Sequence, residues 1–230
     1  MNIANGFTGF PPQTFTFLSD IARNNTREWF AEHRTEYERC YVEPALVFIS
    51  ALGPRLQQFA PGTKFEARVS GSLLRIYRDL RFSADKTPYN TDLDMWFWLG
   101  DAKGYDAPGF FFRMDPHRLI LGTGMHHFPK DMLDAYRQAV VDPAKGAALS
   151  GVMADLKSAG YDVSGATRKT VPRGFDPRHE RAGLLLHEAL FAGYEGPVPR
   201  EAATPGFIDF CASHFKALWP LSRWMVSALG

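Results

Sequence analysis

The 230 residues are 45% hydrophobic and 14% aromatic, enough for a substantial packed core, and a formal net charge of +1 lacks the basic excess of proteins that coat nucleic acid. Met1 to Phe7 carry neither a basic nor an apolar leader-like region, and no apolar run approaches the roughly 18 residues of a membrane span. Cys40 and Cys211 lack Cys-x-x-Cys spacing and read as two buried thiols, so the expectation is one soluble, cytoplasmic domain over residues 1–230, with no membrane partner.

Phe15, Leu18, Ile21 and Ala22 recur at helical spacing after Pro11-Pro12, and Asn24-Asn25 marks a stop before a second start at Asn25 or Thr26. Trp29, Phe30, His33, Tyr37, Cys40 and Tyr41 then form one apolar stripe opposite charged residues, the pattern of an amphipathic helix. Pro44 should kink that helix or begin another, whose apolar positions Leu46, Ile49, Leu52, Leu56 and Phe59 run to Ala60-Pro61-Gly62. From Leu74 the period changes to two, predicting a strand that runs into a loop. Leu93 to Leu99, Gly109 to Met114 and Arg118 to Thr123 are further strands, separated by Gly100-Asp-Ala-Lys-Gly104 and by an Asp115-Pro116-His117 hairpin turn. With no helix between them, they predict an antiparallel meander rather than a doubly wound parallel sheet. Helices are expected after Pro129, from Leu149 to Gly160, over His179 to Phe191, and over Phe207 to Leu229 with a break at Pro220. The fold class is therefore α+β, a mainly antiparallel sheet packed against N-terminal and C-terminal helices.

The segment from Leu74 to Tyr89 concentrates chemistry. Arg75, Arg78, Arg81 and Lys86 outnumber Asp79 and Asp85, a local excess of two positive charges on a nearly neutral chain. In a regular strand Arg75, Tyr77, Asp79 and Arg81 share one face, and arginine forks suit the paired oxygens of phosphate or carboxylate. Arg75, Tyr77, Arg78, Arg81, Lys86 and Tyr89 are accordingly the candidate ligand-binding residues, and an anionic small molecule is the candidate partner. Asp79 and His126 are the candidates for proton transfer, should the protein be an enzyme. The structural alternative makes the same charges an Arg-Asp network, in a protein-interaction module whose exposed aromatics, Trp96, Trp98 and Phe110 to Phe112, recruit a partner. A nucleic-acid surface would need the motif's arginines to join Arg168, Lys169 and Arg173 in one stripe.

Other patterns say less. His126 and His127 are adjacent, so on a strand they point to opposite faces and do not share a metal without a bend. Gly122-Thr123-Gly124 lacks the third glycine and the β-α-β setting of a dinucleotide fingerprint. His179-Glu180 and His187-Glu188 lack the i, i+4 spacing of a helical zinc site, and neither a nucleophile elbow nor a phosphate loop occurs. No residue pattern names a cofactor or predicts a metal site, and none sets the oligomeric state. Asn25, Arg27 and Trp29 could cap and anchor a helix or wall a pocket.

Read together, Phe17-Leu18, Asn24-Asn25, Arg27-Glu28-Trp29-Phe30, Tyr37-Glu38, the run from Arg75 to Tyr89, Gly122-Thr123-Gly124 and Pro172-Arg-Gly-Phe175 resemble the family known as domain of unknown function 2461. The resemblance implies one shared architecture and a shared special segment from Arg75 to Tyr89. It carries no activity.

Overall fold

A computed structural model describes residues 6–81, 83–100 and 107–229. Phe82, the Asp101–Gly104 part of the expected linker and residues 1–5 of the N-terminus lie outside the described residues.

The N-terminal helices follow their sequence signals closely. Helix α1 spans Pro12–Arg23 and buries Thr14, Phe17, Leu18 and Ile21. Thr26 caps α2 (Arg27–Glu32) by accepting the Trp29 N–H. One continuous amphipathic helix was expected from there; instead the chain breaks at His33 into a short α3 (Arg34–Glu36) and a π-helical turn over Tyr37–Val42 before α4 (Glu43–Phe59). Pro44 accounts for part of this, since it has no N–H for the Cys40 carbonyl four residues earlier. That carbonyl accepts the buried Thr14 hydroxyl at 2.5 Å, which ties α1 to the widened turn.

The sheet has six described strands: β1 (Thr63–Lys64), β2 (Leu93–Leu99), β3 (Gly109–Met114), β4 (Arg118–Met125), β5 (Asp162–Ala166) and β6 (His187–Pro197). They lie in the order β1-β2-β3-β4-β6-β5, every neighbour antiparallel. The predicted meander is thus present as β2-β3-β4, its last turn closed by Asp115, whose carboxylate accepts the His117 and Arg118 N–H groups at 2.7 and 2.8 Å. Helices α5 (Lys130–Val141) and α6 (Pro143–Ser158) follow, with Asp142 capping α6.

Two expectations are corrected. His179 to Phe191 is not helical: a 3-10 turn at Ala182–Leu186 leads directly into β6. Gly183 weakens a helix there, whereas β4 offers eight registered positions to a partner strand. Nor does Pro220 break the last helix, for α7 runs unbroken over Phe207–Leu229. The cost of an interior proline, about 3 kcal/mol, is offset by burial on both sides of it. Phe207, Cys211 and Phe215 pack in one core with α1 and α4, while Leu218, Leu221, Trp224 and Met225 pack in a second with α5 and α6. Ser222 is also fixed to the sheet by a buried 2.6 Å hydrogen bond with Thr123 of β4.

These helices cover one face of the meander, where Met95, Phe97, Phe110, Phe112 and Leu121 enter the first core. The opposite face carries Asp94, Trp96 and Trp98 on β2, and Phe111 and Arg113 on β3. Candidate chemistry collects on this second face.

Candidate ligand-binding cleft

The described residues of 74–89 do not form the expected strand, so Arg75, Tyr77, Asp79 and Arg81 do not share a regular face. The segment is a long loop pinched by one bridge between Tyr77 and Tyr89, with the Arg78 N–H donating to the Pro88 carbonyl at 3.0 Å and the Asn90 N–H to the Ile76 carbonyl at 2.7 Å. Within the loop, side chains take the place of ladder partners. Arg78 donates to the Asp85 carboxylate, the Thr87 hydroxyl and carbonyl, and the Ser83 hydroxyl. Asp85 accepts the Thr87 N–H at 2.9 Å, Arg81 forks onto Asp79 at 3.0 and 2.7 Å, and Lys86 donates to the Leu80 carbonyl at 2.9 Å. Asp79 and Asp85 are both held down to about 2, Asp79 by hydrogen bonds from Arg81 and Asp85 by the Thr87 N–H and then Arg78.

Asn25 anchors the far end of the loop. Its amide donates to the Tyr89 carbonyl at 2.9 Å and accepts the Tyr89 N–H at 3.0 Å, a two-point clamp on the backbone. Tyr89 is buried and stacks on Phe30 at 4.3 Å between ring centres. The two motifs singled out in the sequence therefore meet, and Asn25 and Tyr89 join them. Trp29 stacks on His33 at 4.0 Å, away from the cleft described next.

A cleft of about 700 Å³ lies between this loop and the outer face of β2 and β3. Of the sequence-predicted residues, Arg75, Tyr77, Arg78 and Asp79 line it, while Arg81, Lys86 and Tyr89 do not. Leu74 joins Trp96 and Trp98 in an apolar floor, and Arg113 forms the other wall. Arg113 grips the nearly buried Asp94 with two hydrogen bonds of 2.7 and 2.9 Å, so that pair brings little net charge to the cleft. Arg78 is committed to its loop. Among the described residues, the Arg75 guanidinium has no direct hydrogen-bond or ion-pair partner, although its charge helps to lower Asp79. Tyr77 beside it is 46% exposed, an unusual value for a large aromatic ring in this chain. Ser70, also in the wall, holds a left-handed backbone with φ of 59°, the kind of local strain that tends to gather at binding sites.

A second compartment of about 520 Å³ adjoins the first and shares Leu74, Asp94, Trp96 and Arg113 with it. It crosses the sheet towards β6 and contains His126, whose ring contacts Phe111 at 5.0 Å and Phe191 at 4.6 Å. The predicted residue His126 thus lies near the arginine cleft but not among its lining residues. Burial, and then the charge of Arg113, lower its pKa below the ordinary histidine value. His187 and His214 are also lowered, chiefly by burial. For all three histidines the unfolded chain binds the proton more readily, so stability is complete above the unfolded pKa of about 6.5 and falls as pH drops through that value towards the lower folded ones. Melting temperature should therefore decline between about pH 7 and 5.5, with a shallower slope in His126→Asn; equal slopes would remove His126 from this account.

Trp96, Trp98, Asp94 and Arg113 were not picked out as cleft residues from the sequence. A signal existed: Asp94 and Arg113 each interrupt an otherwise apolar strand, and the register places them opposite one another. Among the described residues, no His, Cys, Asp and Glu side chains gather in a group able to hold a metal ion.

These features define an α+β protein whose antiparallel sheet bears a partly aromatic cleft on the face away from its helices. The chain belongs to the conserved hypothetical protein family DUF2461, whose model matches residues 13–224, as the motif resemblance implied. A comparison with curated proteins finds none that matches.

Proposed function

We propose that this chain binds an anionic small molecule, bearing a phosphate or a carboxylate, in the cleft between the 74–89 loop and β2. One observation carries the reading: Arg75 faces a ligand-sized cavity without a direct partner among the described residues, while Arg78, Arg81 and Arg113 are all engaged. A fork of donors beside an aromatic floor suits an anion attached to an organic body. Binding has more support than proton transfer at Asp79, because a carboxyl held to about 2 by Arg81 is a weak base near neutral pH. The alternative, an interaction module with a structural ion network, draws support from the Arg78–Asp85 and Arg81–Asp79 pairs. The exposed aromatic patch it calls for has little support, since Trp96, Trp98, Phe110 and Phe112 are buried and Phe111 is half-buried. A reducing, cytoplasmic setting is supported by the two buried free thiols, Cys40 and Cys211. Among the described residues no helix is long and apolar enough to cross a membrane.

A thermal-shift screen of phosphorylated and carboxylated metabolites tests the proposal, because a compound that binds only the native state raises its melting temperature. At least one should stabilise the wild type, and the shift should vanish in Arg75→Ala while surviving in Arg81→Ala. If no compound acts, or if Arg75→Ala responds like the wild type, the proposal fails.

A further inference from the structure

We infer that the ligand is amphipathic, its anionic head meeting Arg75 and its apolar tail lying across the sheet in the compartment that holds Phe111, Phe191 and His126. This deepens the anion reading and rests on it. The two compartments adjoin, with Leu74, Trp96 and the Asp94–Arg113 pair in both linings, so one molecule lying over those residues would reach both. Their chemistry differs from end to end. The loop end offers the Arg75 guanidinium, whereas the sheet end is lined by aromatic rings and Ile120. Rows of registered residues explain the apolar track: Trp96 stands opposite Phe111, Phe111 opposite Gly122, and Gly122 opposite Gly193, so Gly122 on β4 leaves the space above it to the Phe111 ring and Gly193 on β6 adds no side chain to the row. From β2 to β6 this track crosses three strand spacings, on the order of 14 Å, long enough for an extended chain.

Charge sets the direction. Glu195 lines the far end of the second compartment and would repel an anion placed there, even though Arg118 approaches it at 3.3 Å from outside that lining. His126, with its lowered pKa, is largely neutral near pH 7 and adds no competing cationic site, and Arg113 is already held by Asp94. The head is therefore drawn to Arg75 and the tail is left to the apolar end.

The test is a calorimetric titration of the full chain with ethyl, butyl and hexyl phosphate, each below its micelle concentration. Affinity for the wild type should rise about fourfold per added methylene, the gain for burying one such group. Ile120→Trp should flatten that rise by filling the compartment while leaving ethyl phosphate binding unchanged; Phe191→Trp fills it from β6 should the first variant melt abnormally. Arg75→Ala should weaken every member by a similar factor. Ethyl phosphate binding with no gain along the series would overturn the amphipathic ligand and leave the anion reading standing. Failure of the whole series to bind would count against both.

Discussion

Replacing Phe48 with alanine should lower the stability of the fold by about 3–5 kcal/mol, the usual cost of emptying a buried phenylalanine site. Phe48 is fully buried on α4, and its ring lies 5.0 Å from Phe7, 5.3 Å from Phe10, 5.2 Å from Phe112 and 5.5 Å from Phe207. One side chain thus joins the N-terminal segment, α4, the central strand β3 and α7. Because those partners belong to separate elements, they do not readily close over the cavity together, which favours the upper part of the range. For a chain of this size the melting temperature should fall by about 6–20 °C. A thermal or urea melt checks this, and a loss below about 1 kcal/mol would mean that the aromatic cluster relaxes around the gap.

Gly122→Ala is the second large effect, and it acts on the cleft side of the sheet. A methyl group there would stand 2.0 and 2.3 Å from Cζ and Cε1 of Phe111, so the ring lies directly over the glycine. Gly122 does not have a left-handed backbone, so the penalty is steric, about 1–3 kcal/mol for overpacking. Neighbouring Gly124 differs, with φ of 128° and a would-be methyl 2.2 Å from the Leu190 carbonyl oxygen. Removing the ring separates the two causes. On a Phe111→Ala background, Gly122→Ala should cost only a few tenths of a kcal/mol, a coupling that a double-mutant cycle reads directly. Equal costs on both backgrounds would show that the ring does not occupy the glycine's space.

The architecture was largely legible in the sequence because its signals are local. Asp115-Pro116 sets a hairpin, Pro11-Pro12 opens α1 and Thr26 caps α2, each acting within a few residues of itself. The errors arose where distant partners decided the outcome. β6 is a strand because β4 needs a neighbour, and α7 passes Pro220 because two cores hold it. The 74–89 segment alternates like a strand, yet its polar side chains bind one another and its own backbone instead of a ladder. The site was legible in the same measure. Arg75 and Tyr77 stood out by charge and pattern, but what distinguishes Arg75 from Arg78 and Arg81 is that the latter two have partners, which spacing alone does not reveal. Asp94 and Arg113 lie nineteen positions apart in the chain. Their pairing appears only once the strand register is known.

Trp96 and Trp98 sit in the cleft beside Arg75 and supply a reporter for the central proposal. Tryptophan emission of the folded chain should change saturably on titration with butyl phosphate. The apparent affinity should fall about tenfold to a hundredfold in Arg75→Ala, the loss expected for a charge-assisted hydrogen bond, and stay near the wild-type value in Arg81→Ala. An emission change of equal midpoint in wild type and Arg75→Ala, or none at all, would contradict an anion site at Arg75.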